Sequence, residues 1–446
     1  MSERLHPDAR ADIGGSRLRC VTPCTMWDTY SSPLAHPRLP RRGRIRGVKG
    51  PADAVLAAAV QRHGDRLLVL SHSIHAEPEL SFAEHRSAAR VAALVEAEGF
   101  VVERGVAGLE TAFTASYGSG DLVVGLCAEY DALPEVGHAC GHNIIAAAST
   151  GAALALRDVA DRFGITVRLI GTPAEESGGG KVLLLERGVF DDVAMAMMVH
   201  PAPEETCAAS SLAIADLELR YRGKESHAAA APHLGRNAAD ALTVAQVAIG
   251  LLRQHLEERQ MMHGIVTRGG AAPNIVPAAT AAQYYLRAPD VGSLQRLEAR
   301  ARDCFAAGAL ATGCTWDLTE SSPVYTELVP DEWLAAAYRT AVTGLGRTPL
   351  PHAQEWELHS GSTDMGNVTR VLPAIHPTVA IDCGDAVNHQ PEFAAACASP
   401  SADRAVCDGA LALALTGLAA ATDDEQRARL LDGVARRQAG PAEPAT

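Results

Sequence analysis

Apolar positions recur with two different periods in the first half of the chain. Spacing typical of amphipathic helices predicts helices over residues 52–62, 83–98, 143–160 and 179–188. Short apolar runs predict strands between them, at residues 122–127, 166–170 and 194–199. Because strands alternate with helices, this part of the chain is predicted to form an α/β domain around a mostly parallel sheet.

The pattern changes near residue 212, where polar and apolar residues alternate through 212–222 as in an exposed antiparallel strand. The elements predicted after it are a helix at 237–257, strands at 264–268 and 281–287, a helix at 293–307 and a strand at 315–320. This β-α-β-β-α-β order predicts an inserted α+β domain with two helices and four strands, residues 212–324.

The α/β pattern resumes after the insertion and continues almost to the end of the chain. The elements predicted there are helices at 332–343, 404–420 and 426–438 and a strand at 378–381. Residues 51–211 and 325–440 are therefore predicted to form one discontinuous α/β domain. Residues 1–50 are rich in Pro, Arg and Ser and lack periodicity, so they are predicted to be a disordered extension.

Composition and charge argue against several classes of function, namely nucleic-acid binding, lipid binding and membrane insertion. With 39 Lys and Arg against 53 Asp and Glu, the net charge of −14 argues against binding to nucleic acid or anionic lipid. The apolar run at 410–421 is shorter than the ~18 residues that a membrane span needs, and the first residues lack a signal-peptide core. The 10 cysteines include no CxxC pair, which favours reduced thiols and a cytoplasmic location.

A cluster of ionisable residues follows the predicted strand at 122–127, in the segment EYDALPEVGHACGHN (Glu129–Asn143). Ligands bind at the carboxyl ends of strands in open α/β sheets. Cys140 and His142 are two residues apart, so both can point at one centre from an irregular loop. A thiolate is a strong metal ligand that can bridge two cations, and a neutral imidazole is the commonest other ligand. Alone, however, a Cys-x-His sequence is as typical of a buried thiol beside a surface histidine.

A second polar segment, GTPAEESGGG (Gly171–Gly180), follows the predicted strand at 166–170. The adjacent carboxylates of Glu175 and Glu176 diverge in extended or turn geometry, so one can bind a metal while the other faces a water. The glycines allow a tight turn into the next helix. A phosphate-binding loop is excluded, because Val182 occupies the Ser/Thr place of that motif.

Two further histidines lie at predicted strand ends. His200 stands in Val-His-Pro after the strand at 194–199, and His389 stands in NHQPEF after the strand at 378–381. Either histidine alone could be an ordinary core or surface residue. Four strand-end loops with ligand-type side chains in one domain are much less expected by chance, and they predict a shared metal centre.

With these segments the chain resembles the M20 family of metallopeptidases and amidohydrolases over about residues 68–420. The motifs that carry the resemblance are HAEPELSFAE (His75–Glu84), AEYDALPEVGHACGHN (Ala128–Asn143), TPAEESGGG (Thr172–Gly180), VHP (Val199–Pro201), GKESHAAAAPHLGRNAADA (Gly223–Ala241), PNIVP (Pro273–Pro277), STDMGNV (Ser362–Val368) and NHQPEF (Asn388–Phe393). The match is to the branch with a Cys-Gly-His metal motif, which holds N-acyl-amino-acid amidohydrolases, aminobenzoyl-glutamate hydrolase-like proteins and dipeptidases of the Xaa-Arg type.

The resemblance implies a role for each matching residue. The metal ligands of two divalent ions per subunit would be Cys140 as the bridge, His142, Glu176, His200 and His389. Glu175 would be the general base, with Asp131 behind the ligands. His227 of the inserted domain would reach into the partner subunit's site to hold the carbonyl oxygen, and Asn274 and Arg287 would bind the substrate carboxylate. The inserted domain would then be a lid and dimerisation domain in a homodimer.

Two positions depart from the family's pattern. Asn143 stands where many relatives have Asp. Glu129 stands where related proteins often have Asp and distant ones have a metal-binding His. The identity of the metal stays open at this point, since ligands of this mixed type accept Zn²⁺, Mn²⁺ or Co²⁺.

The predicted function is metal-dependent hydrolysis of a small amide or peptide bond, with a dipeptide that ends in Arg or Lys as the substrate. An N-acyl-amino-acid or aminobenzoyl-glutamate amidohydrolase is the alternative. A non-catalytic M20-like binding protein is an alternative of another class, and the intact Glu175 argues against it. A structural zinc site would have closely spaced Cys and His ligands, and a serine hydrolase would have a G-x-S-x-G motif, which the chain lacks.

Overall fold

The secondary structure is taken from a computed structural model, which describes residues 50–355 and 361–439. The predicted disordered extension, apart from Gly50, lies outside the described residues. The strands are β1 (Val101–Arg104), β2 (Phe113–Tyr117), β3 (Leu122–Ala128), β4 (Ile165–Gly171), β5 (Met195–Met197), β6 (His200–Ala202), β7 (Ala213–Arg222), β8 (Met261–Arg268), β9 (Ala279–Ala288), β10 (Thr315–Glu320), β11 (Ala374–Ile375) and β12 (Thr378–Ala380). The helices are α1 (Pro51–Ala76), α2 (His85–Glu96), α3 (His142–Arg157), α4 (Ala160–Phe163), α5 (Gly180–Glu186), α6 (Ala238–Leu252), α7 (Val291–Thr312), α8 (Glu332–Gly344), α9 (His352–Glu355), α10 (Met365–Val371), α11 (Pro391–Ala396), α12 (Pro400–Thr422) and α13 (Asp424–Ala439).

The larger sheet has six strands in the order β1-β2-β4-β3-β5-β11. Strands β4, β3, β5 and β11 run parallel, while β2 joins β4 and β1 joins β2 in antiparallel register. The prediction of an α/β domain with a mostly parallel sheet is confirmed. Strand β3 is buried along its whole length, as expected of a strand with helices on both faces. The edge strand β1 was not predicted, because its four residues are mostly exposed and include Glu103 and Arg104.

Close helix packing on small residues builds the core beside this sheet. Helix α3 is buried from His142 to Leu156 and packs against α1 and α12. A Cβ atom at Gly151 would lie 2.7 Å from Leu67 Cδ1 and 2.8 Å from the Cβ of Ala410. The three helices therefore approach each other more closely than larger side chains would allow, which explains how an Ala-rich sequence with few aromatics fills a core.

Helix α12 corrects one prediction. It begins at Pro400, and by length and composition it is long and apolar enough to cross a membrane, contrary to the sequence prediction. The sequence prediction counted only the apolar run at 410–421. The helix begins ten residues earlier, and the residues just before 410 lengthen the apolar stretch while adding few charges. In the structure 78% of its most apolar window is buried, as in a core helix.

The inserted segment forms a second sheet with strand order β10-β7-β9-β8, antiparallel throughout. Helices α6 and α7 pack on its apolar face, which buries Leu217, Tyr221 and Phe305. The predicted β-α-β-β-α-β order is present between Ala213 and Glu320. Strand β7 is an interior strand whose alternate side chains are buried, so the expectation of an exposed strand was wrong.

Other differences concern where helices begin and end. Helix α1 continues to Ala76, well beyond the predicted end at residue 62, because His63 and Gly64 lie buried on its inner face. Because neither histidine nor glycine is an apolar marker, these positions hide the helical period from a sequence pattern. The short helices α10 and α11 have six or seven residues each, too few for a periodic signal.

Candidate metal centre and active site

The predicted ligands meet at one edge of the larger sheet. Strands β4, β3 and β5 are parallel neighbours, so their carboxyl ends lie side by side. The loop after β3 carries Cys140, the loop after β4 carries Glu175 and Glu176, and His200 begins β6 shortly after β5. Strand β12 pairs in parallel with β6, and the loop after it carries His389. Parallel neighbours thus bring residues from 140 to 389 into one place.

The loop after β3 turns sharply at Gly141 to begin helix α3. Gly141 has φ of 76°, and a Cβ atom there would lie 2.3 Å from Pro201 Cγ. Only glycine fits this position, since the left-handed conformation and the contact both exclude a side chain. As a result His142 is the first residue of α3, fully buried, with Cys140 just before the turn.

Asp131 holds His142 in one orientation. His142 Nδ1 donates to Asp131 Oδ1 at 2.9 Å, and the other carboxylate oxygen accepts from Ser81 Oγ and from the Glu176 backbone N–H, at 2.9 Å and 3.0 Å. Burial opposes ionisation of Asp131, but the charge of His142 and these hydrogen bonds outweigh it and lower its pKa to about 2. The ionised carboxylate fixes the ring so that Nε2 faces the other ligands.

The paired acids stand on a strained turn after β4. Ala174 has φ of 59°, and its backbone N–H donates to Glu84 Oε1 at 2.8 Å. Tyr325 Oη donates to the Glu175 carbonyl at 2.8 Å. A non-glycine residue with positive φ is uncommon and is tolerated where surrounding contacts hold it, often at functional sites. This turn directs Glu175 and Glu176 into the same cavity.

The two remaining histidines contact different members of the site. His200 Nε2 lies 3.3 Å from Cys140 Sγ, and its Nδ1 lies 2.8 Å from the Pro201 carbonyl oxygen. His389 Nε2 lies 3.6 Å from Glu176 Oε2, and its backbone N–H donates to the Ala139 carbonyl at 2.8 Å. His389 also has positive φ, 73°. His200 is therefore a neighbour of Cys140, and His389 is a neighbour of Glu176.

Two ligand clusters share the same thiol. Cys140, His142 and His200 form one, and Cys140, Glu176 and His389 form the other, with ligand atoms within 4.8 Å of one another in each. His142 Nε2 and Glu176 Oε1 are buried without a hydrogen-bond partner in the structure. Buried polar atoms normally have partners. An unsatisfied imidazole nitrogen and an unsatisfied carboxylate oxygen beside a shared thiol fit a pair of divalent cations.

A buried lysine beside this centre was not predicted. Lys181 Nζ lies 2.6 Å from Glu129 Oε1 and 2.6 Å from Asp364 Oδ1, with all three side chains fully buried. Burial lowers the pKa of Lys181, but the two carboxylates outweigh it and raise that pKa well above its ordinary value. Glu129 Oε2 lies 3.5 Å from His142 Nε2. Glu129, which departs from the family pattern, is thus paired with a cation of the chain itself.

The electrostatics of Glu175 differ from those of its neighbours. Burial and the carboxylates of Glu129 and Glu176 raise the pKa of Glu175 well above its ordinary value. Burial, together with nearby His376, lowers the pKa of His200 to about 3, which keeps its imidazole neutral as a metal ligand requires. Burial and the charge of Glu176 raise the pKa of the Cys140 thiol, so a cation is needed to hold it as a thiolate.

A cavity of about 700 Å³ opens above these residues, between the two sheets. Its walls include Cys140, Glu175 and His389 on one side and Arg287 of β9 on the other. Arg287 Nη1 donates to Ser362 Oγ at 2.8 Å. A pocket of this size, with one cation opposite the candidate metal centre, can hold a small substrate that carries a carboxylate.

His227 and Asn274 lie elsewhere in this chain. Both are exposed, next to each other, and the Ala228 backbone N–H donates to the Asn274 carbonyl at 3.0 Å. They are not among the residues of the described chain that line the cavity. The predicted role of His227 in a partner subunit's site stays a prediction. Asn274, expected beside Arg287 at the substrate carboxylate, is not brought there within one chain.

His376 is a second residue that the sequence analysis missed. It is buried, lines the cavity, and its ring centroid lies 5.3 Å from that of His200. Neither ring nitrogen of His376 has a hydrogen-bond partner in the structure. The sequence Ile375-His376-Pro377 resembles Val199-His200-Pro201, and this likeness could have indicated it.

Comparison with known proteins decides the family. Residues 125–403 match the profile described as Peptidase family M20/M25/M40. The chain is 39% identical over 392 residues to an Xaa-Arg dipeptidase of Mus musculus, which covers 85% of this chain and 90% of the relative. The chain belongs to peptidase family M20. It is therefore a metal-dependent hydrolase, as the sequence analysis predicted.

Further relatives of this M20 hydrolase agree with the branch predicted from its motifs. It is 36% identical over 396 residues to the Xaa-Arg dipeptidase of Homo sapiens, again over 85% of this chain and 90% of the relative. It is 34% identical over 328 residues to one of the subunits of the p-aminobenzoyl-glutamate hydrolase of Escherichia coli strain K12, which covers 68% of this chain and 66% of the relative.

Solved structures share the fold of this M20 hydrolase. A dinuclear metal-binding peptidase of the M20 family from Bacillus subtilis superposes with a TM-score of 0.60 at 20% identity, over 80% of this chain and 98% of the other. An aminobenzoyl-glutamate utilization protein from Klebsiella pneumoniae gives a TM-score of 0.63 at 18% identity, over 81% and 98%. The arrangement of a catalytic domain with an inserted α+β sheet is thus that of the family.

Proposed function

We propose that the protein is a dipeptidase that cleaves dipeptides with a basic C-terminal residue, using two divalent metal ions. The observation that carries the proposal is the shared thiol: Cys140 belongs to both ligand clusters on the floor of the cavity. The similarity to Xaa-Arg dipeptidases over 85% of the chain supports the substrate class.

The residues assigned to the metal ions are His142 and His200 on one side of Cys140 and Glu176 and His389 on the other. When bound, the ions supply Lewis-acid chemistry, because they polarise a carbonyl and make water more acidic. Asp131 keeps the imidazole of His142 in the orientation that exposes Nε2.

Glu175 moves the proton in this proposal. The residue is 7% exposed at the cavity floor, and its Oε2 lies 3.8 Å from His142 Nε2. It takes the proton from the attacking water and gives it to the amine that leaves, since a carboxylic acid next to the scissile bond can do both in turn. A general base of this kind contributes typically ~10²–10⁴-fold to the rate.

Arg287 is assigned to the α-carboxylate of the substrate. It is a half-buried cation in the cavity wall, and among the described residues it has no carboxylate partner. A guanidinium binds a carboxylate through two parallel hydrogen bonds, so it would also fix the orientation of the dipeptide.

A chelator-sensitive activity screen tests the proposal. The metal-loaded enzyme is assayed against dipeptides that end in Lys, Arg, Leu or Glu, before and after treatment with a chelator. We expect hydrolysis of the Lys and Arg dipeptides that is lost with the metal and restored by Zn²⁺ or Mn²⁺. Hydrolysis of none of the dipeptides, or equal rates with and without metal, would contradict it.

An aminobenzoyl-glutamate or N-acyl-amino-acid amidohydrolase is the second candidate. It is supported by the 34% identity to a p-aminobenzoyl-glutamate hydrolase subunit over 68% of this chain. Arg287 could bind a carboxylate in either class of substrate, so only relative rates separate the two candidates. The same screen therefore includes aminobenzoyl-glutamate and N-acetyl amino acids. Higher kcat/KM for these compounds than for basic dipeptides would favour this candidate.

A homodimer is proposed to form through the inserted domain. Strand β8 is the edge of its sheet, and Ile265 and Val266 on it are exposed at 66% and 46%. Exposed apolar edge strands are a common site of pairing between chains. Light scattering should give the mass of two chains for the wild type and of one chain for Ile265→Lys. A cytoplasmic location stays a prediction, which cell fractionation would test.

A further inference from the structure

One wall of the cavity carries an acidic and a basic side chain, and neither forms a salt bridge with another described residue. Asp216 of β7 and Arg287 of β9 both line the cavity, from the sheet of the inserted domain. Among the described residues neither takes part in a salt bridge. Side chains of ionised residues in a partly buried wall usually have a counter-charge, so each of these is available to a ligand.

The register of the sheet fixes their spacing. Asp216 lies opposite Tyr285, and Arg287 lies opposite Ile214, so Asp216 and Arg287 are diagonal neighbours on the same face. Such diagonal positions are roughly 7–8 Å apart. One ligand can therefore contact both residues when it carries an anion and a cation separated by a few bonds.

Gln283 of the adjacent strand β9 holds the Asp216 carboxylate in place. Gln283 Nε2 donates to both oxygens of Asp216, at 2.9 Å and 3.1 Å. Gln283 also lines the cavity. Ser321 also forms a side-chain hydrogen bond to Asp216. A carboxylate has about four acceptor positions, so these two partners still leave room for a hydrogen bond from a ligand. The amide thus orients the charge without neutralising it.

We infer that Asp216 is the specificity-determining residue that binds the basic side chain of the substrate's C-terminal residue, while Arg287 binds the α-carboxylate of the same residue. Lysine carries its ammonium on a four-carbon stem, and arginine carries its guanidinium at a similar distance. Both can span the diagonal between the two residues. A neutral side chain would leave the carboxylate facing the cavity without a partner. This inference rests on the proposed function.

The test compares alanyl-lysine with alanyl-norleucine, which has the same stem without the ammonium. The ratio of their kcat/KM values is measured for the wild type and for Asp216→Asn, which keeps an acceptor for Gln283. Loss of one partner from a buried charge pair costs enough to change the ratio by about 30-fold or more. We expect that fall, with kcat/KM for alanyl-norleucine equal to or above the wild-type value, because Asp216→Asn also removes the unpaired charge that a neutral side chain would face. A ratio of two rates on one preparation does not depend on the folded fraction.

A matched control lies on the same strand. Glu218 is two residues from Asp216 on the same face, but it pairs with Arg220 at 2.6 Å and does not line the cavity. Glu218→Gln should leave the ratio at the wild-type value. Glu204 is another carboxylate that lines the cavity. An unchanged ratio in Asp216→Asn, or a fall only in Glu204→Gln, overturns the inference and leaves the dipeptidase proposal intact. A wild type that cleaves no basic dipeptide overturns the dipeptidase proposal itself.

Discussion

Asp131 Oδ1 lies 2.9 Å from His142 Nδ1, and both side chains are almost completely buried beneath the cavity. The pair links Asp131, which is not among the described residues that line the cavity, to a proposed metal ligand. Because Asp131 also accepts from the Glu176 backbone N–H, a single carboxylate orients one ligand of each cluster. The position of the metal centre is therefore set by a side chain in the layer behind it.

Substitution of Asp131 by Asn should weaken metal binding. The amide cannot accept from His142 and from Glu176 as a carboxylate does, so both ligands lose part of their support. We expect metal affinity to fall by about 10–100-fold, measured by competition with a chromogenic chelator. Ser81→Ala removes only one hydrogen bond to Asp131 and is the matched control. Equal affinities for Asp131→Asn and the wild type would exclude this role.

Lys181→Met should destabilise the fold strongly. The substitution leaves Glu129 and Asp364 buried beside each other without the cation that joins them. Removal of one partner of a buried ion pair typically costs roughly 3–5 kcal/mol in the free energy of unfolding. Urea denaturation of the metal-free protein measures it.

An exposed ion pair provides the control for Lys181. Arg302 and Glu298 are four residues apart on helix α7, with Arg302 45% exposed. Arg302→Met should cost less than about 1 kcal/mol. Similar losses for the two variants would mean that the buried triad contributes no more than a surface pair.

Gly180→Ala should disrupt the turn that carries the two acids. A Cβ atom at Gly180 would lie 1.8 Å from the Pro173 carbonyl oxygen, so the backbone must shift. We expect both lower stability and a lower kcat, since Glu175 and Glu176 lie within this turn. Gly250→Ala in helix α6 is the contrasting variant, because a Cβ there meets no atom within 4 Å. It should stabilise the protein by about 0.5–1 kcal/mol. Wild-type kcat in Gly180→Ala would show that the acids do not depend on the turn.

Metal should stabilise the folded protein through Cys140. A ligand at 100 times its dissociation constant adds about 2.7 kcal/mol to the free energy of unfolding when it binds only the folded state. We expect a rise in thermal midpoint on addition of Zn²⁺ to the wild type and a much smaller rise for Cys140→Ser. Cys304→Ser, a half-buried thiol on helix α7, should respond like the wild type. The same rise in both variants would separate Cys140 from the metal.

The sequence was informative where chemistry is concentrated in short segments. Strands β3 and β4 and the loops after them could be predicted, because each apolar run is followed by a segment rich in ionisable residues. The segment after β3 begins at Glu129 and includes Cys140, and Glu175 and Glu176 come a few residues after β4. Once a parallel sheet is predicted, the common edge follows from the geometry of parallel strands. The meeting of the ligands could thus be predicted without coordinates.

Contacts between distant segments could not be predicted in this way. Lys181 and Asp364 are 183 residues apart. Taken alone, each is typical of an ordinary charged residue near the start of a helix. Asp216 lies in an alternating strand, which shows that it faces away from the apolar layer but not that this face meets the cavity. The first contact depends on how two distant helices pack, and the second depends on how the two sheets are placed. No local sequence pattern contains either.

Metal titration of the chelated enzyme, with bound ions counted while hydrolysis of alanyl-lysine is followed, tests the central claim most directly. The account predicts no turnover without metal and activity that rises as ions bind, to a limit of two per chain. It also predicts that Glu175→Gln binds the same number of ions but loses about 10²–10⁴-fold in kcat. Full turnover by protein that retains no metal would contradict the account.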